Sequence, residues 1–165
     1  MSEAAEAPVE VRRATRADLE VVGRLGDLLL RAHYAFDPDR FMRPEDNLDE
    51  GYARFLSSQL EQPDTLVLVA AHRGDVVGYL YAAIEPRSWK ELRERAGFVH
   101  DVFVDEPNRG CGIADALMNA ADDWMREHRV PRVILWTASA NDHARRLFAR
   151  RGFRPTMIEM TRELT

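Results

Sequence analysis

The chain predicts an α/β fold, a mixed and mostly antiparallel sheet of about six or seven strands flanked by helices. Three observations carry that expectation. Residues 98–104 alternate large apolar side chains with polar ones, the period of a strand with unlike faces. Beyond them Ile113, Leu117, Ala120, Ala121 and Trp124 recur at helical spacing, and the two elements are joined by a turn holding Gly110 and Gly112. Elsewhere strand and helix signals follow one another in the order strand, two helices, three strands, helix, strand, helix, strand.

Each element has its own warrant. Residues 1–8 are small and acidic and read as a loose leader, so a single domain is expected over residues 9–165. A first strand spans residues 9–14, and Thr15 caps a helix that turns Leu19, Val22, Leu25, Leu28 and Leu29 inward. Gly23 and Gly26 weaken that helix by up to about 1 kcal/mol each against Ala, so packing must hold it. Residues 35–50 break the pattern with Pro38 and Pro44, and six acids (Asp37, Asp39, Glu45, Asp46, Asp49, Glu50) face only Arg40 and Arg43. A second helix over residues 48–62 stops at Pro63. Strands at residues 65–72 and 76–84 are joined by Arg73, Gly74 and Asp75 as a hairpin turn of glycine type. A charged insert follows at residues 85–97, with a helical turn over residues 89–95. Past the central helix come a buried strand at residues 132–139, a helix capped by Asn141 and ended by Gly152, and a last strand at residues 153–162.

Composition narrows the function. With 165 residues, 45% of them hydrophobic and 31% charged, the chain is globular. A net charge of −5 and the lack of a basic run argue against a nucleic-acid binder. No apolar run approaches the roughly 18 residues needed to span a bilayer, and no signal-peptide pattern occurs, so a cytoplasmic protein without a membrane partner is expected. Cys111 is the single cysteine, consistent with a reducing compartment. His33, His72, His128 and His143 share no metal-ligand spacing, so no metal site is expected.

The strand–glycine–helix junction favours an anion. The first amides of a helix have no partner within it, the macrodipole places partial positive charge there, and glycines let a bulky ligand approach the backbone. A P-loop would need Gly-Lys followed by Ser or Thr, a triplet absent from the chain. A dinucleotide fingerprint would need a small third residue where Asp115 stands.

Arg109-x-x-Gly112-x-Ala114 after a hydrophobic strand instead resembles the acyl-CoA signature of the GNAT superfamily of N-acetyltransferases. Asn141-x-x-Ala144-x-x-Leu147-Phe148-x-x-x-Gly152-Phe153 is similar to the family's later motif. The resemblance covers about residues 9–163, and it implies the GNAT fold with two splayed central strands, acetyl-CoA as cosubstrate and a primary amine as acceptor. By family position the backbone of Arg109, Gly110, Cys111, Gly112, Ile113, Ala114 and Asp115 would hold the pyrophosphate. Val102, Phe103 and Val104 would pair through their backbone with the pantetheine, which Asn141 and Phe148 would also touch. The implied function is transfer of an acetyl group to a small cationic amine by direct attack in a ternary complex. A protein N-terminus or lysine is an alternative acceptor, and an acyl-CoA-binding sensor with little chemistry is an alternative role. Family members are often dimers, and residues 153–162 would then pair across a two-fold axis.

Transfer from a thioester to an amine poses two proton problems. An alkylammonium, with a pKa of about 10.4, must lose a proton to attack, and a thiolate must gain one or be stabilised on leaving. His100 occupies the position where related enzymes often carry glutamate, and its imidazole suits a general base or a holder of the water that acts as one. Strand alternation sends Asp101 to the opposite face unless a bulge intervenes. The general acid is unassigned, because Phe148 stands where the motif usually has a tyrosine and carries no hydroxyl. Water, Ser139, Tyr34, Tyr81 or helix-end amides remain open for that role. The acids of residues 37–50 and the insert at residues 85–97 hold the family's usual acceptor-wall positions, and six acids there would draw a cationic amine.

Overall fold

A computed structural model describes residues 8–164, so all but Pro8 of the expected leader lies outside the described residues. Five strands, β1 (Val9–Arg13), β2 (Thr65–His72), β3 (Asp75–Glu85), β4 (Ala96–Val104) and β5 (Val133–Leu135), form one sheet in sequence order. The first four are antiparallel neighbours, and β5 joins β4 in parallel. Helices α1 (Leu19–Phe36) and α2 (Leu48–Gln59) cover one face, while α3 (Ile113–Glu127) and α4 (Asp142–Arg150) cover the other.

The entry to α1 is fixed by Asp18. Its carboxylate accepts from the Thr15 amide at 2.7 Å and takes a two-pronged bond from Arg12 at 2.8 and 2.9 Å. That guanidinium holds the carboxyl well below the usual carboxylate range. The glycines of α1 do more than weaken it. A Cβ on Gly23 would sit 2.4 Å from the Asp49 carbonyl oxygen, and one on Gly26 would sit 2.1 Å from the Tyr52 ring. Their bareness lets α2 lie directly against α1. Between β2 and β3 the expected glycine turn forms, with Arg73 and Gly74 at φ of 54° and 90°.

On the opposite face the apolar stripe of α3 (Ile113, Leu117, Met118, Ala121, Trp124 and Met125) is buried against the sheet. Gly97 admits Met125, whose sulfur would lie 2.5 Å from a Cβ at that position. Helix α4 is capped by the Asn141 side chain, which accepts from the Ala144 amide at 3.1 Å, and Gly152 follows it at φ +86°.

Three local expectations fail. The insert at residues 85–97 holds no helical turn; Ser88 and Arg93 exchange backbone bonds at 2.9 and 3.1 Å and close a tight loop instead. The strand expected over residues 132–139 pairs only at Val133–Leu135. The last strand expected over residues 153–162 does not form, and the described sheet has five strands rather than six or seven. The two strand failures share a cause. Once β5 peels away after three residues it offers no edge to a further strand, so residues 153–164 run without a ladder partner, with Met157, Ile158, Met160 and Leu164 exposed. No described helix is long and apolar enough to cross a membrane.

Candidate active site

The brief contact between β4 and β5 positions the site. Only Gly97, Phe98 and Val99 pair with β5, while β4 runs on to Val104. Val102, Phe103 and Val104 are matched with Leu80, Tyr79 and Gly78 of β3 on one side and with no described strand on the other. The splay opens a groove of about 2550 Å³, bounded by α1, α2, β4, the chain following β5, α4 and the C-terminal segment. This is the gap that a pantetheine chain would need.

Beyond the end of β4 lies the backbone geometry expected from the glycines. Gly110 and Gly112 take φ of +83° and +73°, and a Cβ on either would meet nothing within 4 Å, so the backbone angle rather than crowding requires glycine. Among the described residues none of the amides of residues 110–115 donates a hydrogen bond within the protein. Six such donors leading into a 15-residue helix make a strong anion cradle. Arg109 is differently placed. Its Nε donates to the Val104 carbonyl at 3.0 Å and its guanidinium lies over Phe103, so the side chain braces the strand end rather than reaching into the loop. Cys111 is an exposed free thiol.

The centre of β4 departs from simple alternation. Tyr81 is matched with Asp101 and Ala82 with Val99, which leaves His100 as an extra residue in a β-bulge. The bulge turns His100 and Asp101 to the same face, the one covered by α1 and α2. The plain alternation expected for Asp101 is thereby overturned. The His100 ring stacks on Tyr81 and Phe98 at 5.1 and 4.9 Å. Its Nε2 is 2.9 Å from Glu85 Oε1, and Arg93 in turn bonds the other Glu85 oxygen at 2.5 Å. With its side chain 33% exposed, His100 has a pKa below the ordinary value, since burial outweighs the pull of Glu85. The ring is therefore neutral near pH 7. With Nε2–H donated to Glu85, Nδ1 is left to accept a proton.

Asp101 sits among hydroxyls. Tyr52 of α2 donates to its Oδ2, and the Tyr79 hydroxyl lies 3.4 Å from the same oxygen and 3.3 Å from that of Tyr52. Burial pushes the Asp101 carboxyl up to about 7 and the Tyr79 phenol upward as well. No cation bonds Asp101 among the described residues. Sequence reasoning missed this cluster. Its signal was two adjacent polar residues, His100 and Asp101, within an otherwise apolar strand.

Phe148 is buried on the other face and packs edge-on to Phe153 at 5.8 Å, so an apolar ring fills that position. Of the hydroxyls considered as acids, Tyr81 bonds Gln59 at 3.3 Å beside His100, Ser139 lines the groove, and Tyr34 lies under Arg43. The acidic stretch does not converge as expected. Of its six carboxylates only Asp37 lines the groove, where Arg40 also bonds Glu159 of the C-terminal segment. From the insert, residues 90–93 line the groove. His33 and His128 bond helix carbonyls at 2.9 and 2.8 Å, and no described cluster of His, Cys, Asp and Glu could hold a metal.

Comparison with known proteins agrees with this geometry. Residues 26–153 match the acetyltransferase (GNAT) family. An uncharacterised N-acetyltransferase of Bacillus subtilis, YycN, is 31% identical over 90 residues, 54% of this chain and 55% of its own length, so the match spans about half of that relative. An uncharacterised N-acetyltransferase of Archaeoglobus fulgidus is 27% identical over 148 residues, 88% of this chain and 93% of its own. Among solved structures, a mutant of the BH1408 protein from Bacillus halodurans superposes with a TM-score of 0.82 at 24% identity, covering 94% of this chain and 99% of that one. The aminoglycoside N-acetyltransferase AAC(6')-Iy in complex with CoA does so at 0.74 and 16% identity, over 99% of each chain. From the family match across most of its length, joined to the splayed strands and the glycine-started helix, the chain belongs to the acetyltransferase (GNAT) family.

Proposed function

We propose that the protein moves an acetyl group from acetyl-CoA to the primary amine of a small cationic molecule, by direct attack in a ternary complex. The observation that carries this is the set of six unpartnered amides at residues 110–115, which lies at one end of β4 while His100 and Asp101 stand at the bulge in its middle. The diphosphate binds at those amides. The pantetheine follows the free side of residues 102–104 and brings the thioester to the bulge. Phe148 and Asn141 flank it from α4.

The acceptor enters from the α1–α2 side, where Asp101 meets its ammonium and the rings of Tyr81, Phe98 and His100 line the approach. The proton leaves to His100 Nδ1, and Glu85 stabilises the imidazolium through Nε2–H. The amine nitrogen then attacks the thioester carbon. The C–N bond forms and the C–S bond breaks; the thiolate departs, and the proton that the attacking nitrogen sheds passes to it through water, since Phe148 has none to give. Placement of both partners in one groove supplies several kcal/mol of the barrier reduction, so a single protein base suffices.

The cationic preference rests on Asp101 and Asp37 rather than on the acidic stretch as a whole. The neighbour AAC(6')-Iy, an aminoglycoside acetyltransferase, is consistent with a small amine acceptor. A panel of polyamines, aminoglycosides, amino-acid derivatives and peptides, with acetyl-CoA and thiol detection, tests the assignment. Turnover concentrated on small polycations is the expected result. Strict preference for an anionic acceptor, or acetyl-CoA binding without turnover on any amine, would overturn it, and the latter would favour a sensor.

The unpaired residues 153–164 further support a homodimer in which these segments find partners on a second copy. Sedimentation of the whole chain against one truncated after Phe153 tests this, with loss of a dimer as the expected outcome.

A further inference from the structure

Asp115 is the third residue of α3, a position from which an acidic side chain commonly reaches back to cap its own helix. In this chain Asp18 does so from the same position of its own turn, accepting from the Thr15 amide at 2.7 Å. Asp115 does not. Its carboxylate makes one hydrogen bond among the described residues, from Arg151 at 2.9 Å. Arg151 follows α4 directly and also bonds Asn119 at 2.9 Å and Asp122 at 3.0 Å along the flank of α3. Its side chain is only 14% exposed against 48% for Asp115, and its buried Nε has no partner, so the guanidinium is committed to that flank.

A carboxylate beside a helix N-terminus competes with an anionic ligand in two ways. It occupies the amides, and it repels the ligand's charge. We propose that Arg151 is a positioning residue for the cosubstrate: it holds the Asp115 carboxylate against the flank of α3, which keeps the amides of residues 110–115 open to a diphosphate. The same bonds tie the end of α4 to the helix that carries the cradle. This inference rests on the diphosphate site proposed above.

Calorimetry with acetyl-CoA and with S-acetylpantetheine, which lacks every phosphate, separates the two claims. Wild type should bind acetyl-CoA far more tightly than S-acetylpantetheine; equal affinities would remove the diphosphate site itself. Arg151→Gln should weaken acetyl-CoA about tenfold, ~1.4 kcal/mol, and leave S-acetylpantetheine unchanged. In kinetics it should raise KM for acetyl-CoA while kcat at saturation stays within about threefold. Asp115→Ala in the Arg151→Gln background keeps the main-chain amide and should recover most of the lost affinity. Failure to recover, or an equal loss for both ligands, would show a merely structural role and overturn the proposal. So would Arg151→Gln with an unchanged ratio. Should Arg151→Gln not fold, Arg151→Lys takes its place; its shorter reach and lack of a planar fork span the three oxygens less well, so a smaller loss in the same sense is expected, and an unchanged ratio counts against the proposal.

Discussion

The two faces of the sheet carry different cargo. Towards α3 and α4 the core runs through apolar side chains from Leu66 and Leu80 to Trp124 and Phe148, and a buried polar exception, His72, lies at its β1 edge. Towards α1 and α2 the core is interrupted by Tyr79 and Tyr81, and the same face carries Asp101 and His100. One face is built for packing, and it holds α3 with its first amides unpartnered. The other accepts the desolvation of titratable groups, which is tolerable only because Tyr52, Glu85 and the bulge provide hydrogen bonds. In this fold stability and chemistry are divided by the thickness of one strand.

That division can be broken from either side. The largest effect is expected from His100→Gln, which should lower kcat/KM by about 10²–10⁴-fold. In wild type, activity should fall in two steps as pH drops, near 7 as Asp101 takes up its proton and again below 6.5 through the depressed His100 pKa; in the variant the lower step should vanish. A pH–rate profile that keeps the lower step would remove His100 from the mechanism. Next in size is Leu117→Ala on the packing face, expected to cost about 2–5 kcal/mol in urea denaturation while leaving both steps in place.

Asp101→Asn sharpens the contrast. The folded carboxyl holds its proton up to about 7, against an ordinary value of 3.8, so the native state binds more protons than the unfolded chain between those values. Wild-type stability should accordingly fall as pH rises from about 4 to about 7, and the asparagine variant should lack that slope. Urea midpoints at pH 4.5, 6 and 8 decide the matter; parallel dependence in both proteins would place the proton elsewhere. Smallest is Phe148→Tyr. It should change steady-state turnover by less than about threefold if the ring only packs there, whereas abolished activity would make the apolar ring a requirement.

The packing face was largely legible in the sequence. The strand at residues 98–104, the two glycines and the helical spacing from Ile113 to Trp124 are local signals, and each survives in β4 and α3, although the strand's alternation breaks at His100. The same holds for the Arg73–Gly74 turn and the Asn141 cap. The chemical face was half hidden. His100 could be named from its place in the strand, but the side that Asp101 faces was left to whether a bulge intervenes, because a bulge depends on cross-strand register, which no single segment encodes. The reach of Tyr52 to Asp101 was hidden too, since it depends on how closely two helices pack. The last strand went wrong for a related reason: extended propensity makes a strand only where an edge is waiting.

Gly26 shows how far such dependence extends. A single hydrogen atom there, in place of a methyl, allows α2 to lean inward until a phenol touches a carboxyl on the sheet. On the mechanism proposed above, the acidity of the groove depends on the distance between two helices, and a substitution at a site remote from substrate would shift the pH dependence of turnover.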